Sequence, residues 1–223
     1  KELHIDMAQV EGIFISHEHS DHIAGLQQLL KRFDVPVYTK QGTWREIQDK
    51  LVVPKNQLIE LTKGSLTLGN LIVEPFAVSH DAADPIGINV FSGNDKATVV
   101  TDTGIISDDI LHRIDDSTLL VLEANYDPHM LRFGPYQPFL KQRVASDEGH
   151  LSNEMAAQAL LMMKRPDFMQ VILAHRSENN NNAVLVTQTI GKMLVDGGVR
   201  IGPEMKLQHG QPNEIVSMQS IKR

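Results

Sequence analysis

The chain has 223 residues, and at roughly 150 residues per domain this means one large domain or two small ones. Lysine and arginine number 21 against 28 aspartates and glutamates, a net charge of -7 that excludes a protein coated in basic charge but leaves room for a local basic groove. At 41% apolar and 22% charged the chain has the composition of a folded protein, and without cysteine any metal must be held by nitrogen and oxygen.

No apolar run reaches the roughly 18 residues of a membrane span, and residues 1–9 are too polar for a signal peptide, so a soluble cytoplasmic protein without membrane contact is expected. The first residue is Lys rather than Met, which suggests that the natural N-terminus is not included. A short apolar run predicts a strand at 12–16, and Ile23, Leu26, Leu29, Leu30 and Phe33 lie at helical spacing over 22–33. Residues 36–39 read as extended and 43–51 as a helix. Strands follow at 58–61, 65–68, 71–78, 86–92 and 97–101, with Gly64, Gly69-Asn70 and Gly93-Asn94-Asp95 supplying turn chemistry, which makes the middle of the chain a meander. Ser107, ahead of Asp108 and Asp109, opens a short capped helix. A buried strand at 118–122 precedes loop and helix over 126–149, where three prolines fall. An amphipathic helix at 153–164, a strand at 168–173, a helix at 183–195 and a last strand near 215–218 complete the chain. Only residues 179–182 have a linker-like composition, and residues 1–223 read as a single α/β domain.

The chemistry begins at His17-Glu18-His19-Ser20-Asp21-His22, between the first strand and the first helix. A strand-to-helix turn presents side chains at a sheet edge, open to substrate yet rigidly supported. Three imidazoles and a carboxylate this close can serve two metal ions, and coincidental clustering of surface histidines explains the spacing poorly. His80, Asp102 and His175 each follow a predicted strand. Taken singly, His80 or His175 is more often a satisfied polar residue than a ligand, and Asp102 an ordinary turn residue; the combination reverses that reading.

His-x-His-x-Asp-His after an apolar strand resembles the signature of metallo-β-lactamase-fold hydrolases, an αββα four-layer sandwich with a dinuclear site at one edge. The resemblance implies two divalent ions, zinc or manganese: His17, His19 and His80 on one, Asp21, His22 and His175 on the other, and Asp102 bridging. Glu123-Ala124-Asn125-Tyr126-Asp127 and Gly149-His150-Leu151-Ser152-Asn153-Glu154 resemble the paired Glu and His motifs of tRNase Z. By that likeness Glu123 and His150 join Asp21 and Asp102 as catalytic residues, with His150 the general acid oriented by Glu123. Their structural readings are a buried carboxylate and a loop histidine.

With Ser79-His80-Asp81-Ala82-Ala83-Asp84-Pro85 and His175-Arg176-Ser177-Glu178-Asn179-Asn180, the chain resembles, over essentially its whole length, the YycJ/WalJ group, related to tRNase Z and RNase J. That likeness implies a metal-dependent phosphodiesterase, a 5′-to-3′ exonuclease on DNA or RNA in which metal-activated hydroxide attacks, with nucleic-acid ends or single strands bound weakly. A glyoxalase- or lactonase-like ester hydrolase, or a non-catalytic metal-bound scaffold, is the alternative. Only 16 residues precede His17, so the strands that relatives place before the motif are expected to be missing from this chain. Arg176 stands where relatives carry Leu, as a phosphate contact or a solvated substitution. In 133–139, Phe133, Tyr136 and Phe139 are interleaved with nearby Arg132, Lys141 and Arg143, which suits either a single-strand contact or a small surface cluster. His4, His112, His129 and His209 belong to no motif and are expected to be exposed.

Overall fold

The computed structural model describes residues 5–62, 64–211 and 214–216. The first predicted strand contracts to β1 (Ile13–Phe14), and the helix predicted over 22–33 is broken at Ala24-Gly25 into α1 (Ser20–Ile23) and α2 (Leu26–Leu30). β2 (Val37–Thr39), α3 (Gln41–Gln48) and β3 (Leu58–Glu60) follow, and β1, β2 and β3 pair in parallel as a three-stranded sheet.

The meander comprises β4 (Leu66–Leu68), β5 (Leu71–Ala77), β6 (Ile86–Ser92) and β7 (Asp95–Val100), all antiparallel neighbours. Gly69 and Gly93 turn two of its hairpins with φ of 55° and 58°, a backbone region that favours glycine. The chain then alternates through α4 (Asp108–Ile114), β8 (Leu119–Glu123), α5 (Pro128–Phe133), α6 (Pro138–Val144), α7 (Asn153–Met162), β9 (Met169–Ala174), α8 (Ala183–Asp196) and β10 (Met205–His209). Strands β7 to β10 pair in parallel, giving a seven-stranded sheet of order β10-β9-β8-β7-β6-β5-β4.

Three apolar clusters account for the layers. Ile23, Leu26, Leu30, Trp44 and Ile47 from α1 to α3 bury against Ile15 and Val37. Tyr38, Leu61 and Ile86, backed by Phe14, Leu66 and Ile88, join the two sheets face to face. The largest cluster packs Val100, Leu120, Leu122, Val171 and Leu173 under Ile110, Ile114, Leu160, Ile190 and Leu194 of the helices α4, α7 and α8. This is the αββα order expected from the sequence. Each fully buried Leu or Ile contributes about 1.5–3 kcal/mol relative to exposure, so the third cluster dominates stability.

Three sequence expectations fail. Ile215 and Val216 form no strand, Ser217 and Met218 lie outside the described residues, and the last described strand is β10. β10 escapes a periodicity reading because Met205 is buried while its other four residues are all half-buried, so no alternation marks it. Residues 179–182 are not a linker: Asn180 and Asn181 are buried, and Asn181 exchanges amide hydrogen bonds with Asn153 while donating to the Ala124 carbonyl. His209 is half-buried rather than exposed, with Nε2 bonded to the Thr187 hydroxyl, whereas His112 and His129 are exposed as expected and His4 lies outside the described residues. No helix among the described residues is long and apolar enough to cross a membrane.

Candidate metal centre

All seven proposed ligands converge at one edge of the fold. β5, β7, β8 and β9 run in the same sense, so the segments leaving their carboxyl ends bring His80, Asp102, Glu123 and His175 together, and the turn after β1 adds His17, His19, Asp21 and His22. Open α/β sheets place ligand sites at such strand ends.

Donor atoms of His17, His19 and His80 lie within 4.8 Å of one another, as do those of Asp21, His22 and His175. Asp102 sits between the groups: its Oδ1 is 3.8 Å from His80 Nε2 and 3.3 Å from His175 Nε2, and its Oδ2 is 3.3 Å from His22 Nε2. Neither His17 Nε2 nor Asp102 Oδ2, both buried, has a hydrogen-bond partner. An orphaned imidazole nitrogen and an orphaned carboxylate oxygen in one cluster fit divalent cations, since buried polar atoms otherwise find partners.

Nδ1 hydrogen bonds orient four of the imidazoles. Ser16 Oγ lies 3.1 Å from Nδ1 of both His17 and His22, and His80 Nδ1 donates to the carbonyls of Glu148 and Gly149 at 3.1 Å each. His175 Nδ1 donates to Glu123 Oε1 at 2.9 Å. In all four rings this leaves Nε2 toward the cluster, the usual way a second hydrogen bond fixes a metal-binding tautomer. Burial and the crowding of His22, His80 and His19 hold the His17 imidazole neutral, its pKa lowered to about 2. Burial likewise lowers that of His80. A hydrogen bond from His175 holds the Asp21 carboxyl well below the usual range. Burial alone would lower the His175 imidazole, but Asp21 and Glu123 override it and lift its pKa to about 11, so a cation there displaces a proton.

Glu123 is fully buried and His150 donates Nδ1–H to its Oε1 at 2.7 Å. Its Oε2 accepts from the Thr103 and Leu151 amides. Burial would raise this carboxyl, yet the hydrogen bonds from His150 and His175 win and hold its pKa at about 2. Asp102, Glu123, His150 and His175 also come within ligating reach of one another. Because both imidazole Nδ1 atoms already face Glu123 Oε1, these groups satisfy each other, and a third cation has no free donor set.

Two loops are pressed together here. A Cβ on Gly104 would sit 2.3 Å from the Asp147 carbonyl carbon, and one on Gly149 would sit 2.2 Å from the Arg143 oxygen, so only glycine permits the approach that seats Thr103 and His150 on Glu123. Asp102 and His175 have φ of 58° and 51°, a left-handed conformation uncommon outside glycine.

Several supporting residues were not singled out from sequence. Ser16 bridges two imidazoles; Glu18 Oε1 accepts from the Ala83 amide at 2.8 Å; Asn125 Nδ2 donates to the His175 carbonyl at 2.8 Å. Asp81 pairs with Arg143 and stands 3.6 Å from His80 Nε2. Only the proximity of Ser16 and Glu18 to the histidine motif could have flagged them. The aromatic stretch proves helical at both ends: Phe133 and Phe139 are exposed, while Tyr136 packs with Leu140 against Tyr126, Leu131 and Val144.

Residues 1–175 match the family model described as a beta-lactamase superfamily domain. The chain is 34% identical to an exodeoxyribonuclease YycJ of Bacillus anthracis over 223 residues, 99% of this chain and 84% of that protein. It is 31% identical to an exodeoxyribonuclease WalJ of Streptococcus pneumoniae over 217 residues, 95% of this chain and 80% of that one. The crystal structure of the metallo-beta-lactamase fold protein YhfI from Bacillus subtilis superposes with a TM-score of 0.68 at 15% identity, covering 92% of this chain and 77% of that one.

Proposed function

The chain belongs to the beta-lactamase superfamily and is a metal-dependent hydrolase, and from that premise we propose that it is a dinuclear phosphodiesterase removing nucleotides from nucleic-acid ends in the 5′-to-3′ direction. The supporting observation is the pair of donor clusters meeting at Asp102 beside the His150–Glu123 hydrogen bond. His17, His19 and His80 would hold one cation, Asp21, His22 and His175 the second, and Asp102 would bridge them. Zinc or manganese ions suit this nitrogen and carboxylate set and, when bound, would polarise a phosphoryl oxygen and lower the pKa of water.

The remaining work falls to the chain's own groups. Asp21 and Asp102 supply the negative charge that balances the cations. His150, its Nδ1–H fixed on Glu123, carries a second proton on Nε2 in the reacting form and passes it to the departing oxygen, leaving the ring with its Nδ1–H alone. Arg143, steered by Asp81, lines the cavity of about 370 Å³ over the cluster together with His19, Asp102, His150 and His175, where it meets phosphate charge. With a net charge of -7 the protein binds nucleic acid weakly away from this edge.

The test is hydrolysis of bis(p-nitrophenyl) phosphate and of a 5′-labelled single-stranded oligodeoxynucleotide, set against a thioester and a lactone. Release of labelled mononucleotide as the first product supports the reading. Dominant ester turnover that survives His150→Ala would replace it with a glyoxalase- or lactonase-like hydrolase, and two bound metals with no turnover would leave a scaffold.

A further inference from the structure

His17, His22, His80 and His175 each have an oxygen at Nδ1 that aims the ring and leaves Nε2 toward the cluster. His19 is turned the other way. Its Nδ1 lies 3.2 Å from His80 Nε2, among the gathered donors, and its Nε2 faces Asp81 Oδ1 at 4.0 Å. Among the described residues no carbonyl or hydroxyl oxygen bonds either nitrogen of this ring, so Asp81 is the one acid placed to take its outer N–H.

Asp81 is itself fixed from three directions. Its amide donates at 3.0 Å to the Glu148 carbonyl, which also accepts from His80 Nδ1. Two residues on, the Ala83 amide donates to Oε1 of the buried Glu18 at 2.8 Å, which anchors the rest of the loop. The side chain is gripped by Arg143, with Nη2 on Oδ1 at 3.0 Å and Nε on Oδ2. Such a two-pronged pairing sets the plane of the carboxylate, and each oxygen keeps a lone pair for one more donor. With both oxygens already engaged by a guanidinium that never loses its charge, Asp81 is held as a partner to the ligands rather than as another ligand.

A ligating imidazole whose remaining N–H meets a carboxylate is oriented by it and becomes a stronger donor. We infer that Asp81 is a positioning residue for the cation on His17, His19 and His80, taking the Nε2–H of His19 so that Nδ1 is the ligating atom. The inference rests on the dinuclear reading and adds to it an acid outside the seven ligands that governs how tightly one of the two cations is held. It also joins that cation to the wall of the substrate cavity, because the chain of contacts from His19 through Asp81 ends at Arg143, which lines the space over the cluster.

The experiment loads the protein with zinc and withdraws it with a graded chelator, resolving the two ions by their affinities. Asp81→Asn keeps the shape of the side chain and removes its charge. It is expected to weaken one ion by about 10- to 100-fold and to leave the other unchanged. Asp81→Glu keeps the charge at a longer reach, so it loses less, and it serves should the asparagine variant not fold. Cobalt in place of zinc should give the same visible bands in wild type and Asp81→Asn, as an acid outside the coordination shell requires. Wild-type affinity for both ions in either variant, equal weakening of both ions, or cobalt bands that report a changed coordination number overturns the inference alone. A wild type that binds fewer than two ions overturns the dinuclear reading and this inference with it.

Discussion

His150→Ala separates proton transfer from metal binding. In the fold it removes one of four hydrogen bonds to Glu123, leaving His175 Nδ1 and the Thr103 and Leu151 amides in place. One such bond to a buried charge contributes about 1.5–3 kcal/mol, so the variant folds but melts earlier. In the reaction it removes the proton donor at the departing oxygen, and general acid groups contribute a factor of about 10² to 10⁴, equivalent to about 3–5 kcal/mol of barrier. The assay pairs elemental analysis of the purified variant with initial rates on bis(p-nitrophenyl) phosphate. Wild-type metal content with a rate lowered by about 10² to 10⁴ is expected. Loss of metal in proportion to the loss of rate would refute the reasoning, because it would make His150 a support of the metal cluster rather than a proton donor.

Asp102→Asn keeps a side chain tolerant of positive φ but removes the charge shared between the clusters, so metal stoichiometry and activity should fall together when measured on one preparation. Removing metal with a chelator should lower Tm, and restoring zinc or manganese should raise it with concentration, because a ligand bound only by the folded state stabilises it by mass action; a Tm blind to metal would count against the cluster. Gly104→Ala should cost about 1–3 kcal/mol in denaturant unfolding, since its Cβ meets the Asp147 backbone and the loops must part. Asn181→Ala should cost about 2–4 kcal/mol by the same measurement, as it strands the Ala124 carbonyl and the Asn153 amide in the core.

The candidate ligands were readable because their chemistry is local: four of them share six residues, and His80, Asp102 and His175 each follow a strand whose apolar run announces its end. Layering was readable for a similar reason, since strand runs and the helical spacing of Leu26, Leu29 and Leu30 fix which faces must be covered. What escaped notice depends on partners remote in sequence. Asn181 looks like linker until Asn153 and Ala124 arrive opposite it, and His209 looks solvated until α8 covers it with Thr187. The break at Ala24-Gly25 was hidden because apolar spacing continues through it, even though glycine there favours interruption.

The left-handed backbone at Asp102 and His175 has a consequence for descent. Each position holds a side chain where glycine would relieve up to about 1–2 kcal/mol of backbone strain, so the present residues are held there by their donors rather than by the backbone. A gene copy released from its chemistry would gain robustness by exchanging them, and drift at these two sites would mark a retired paralogue before any change in its core.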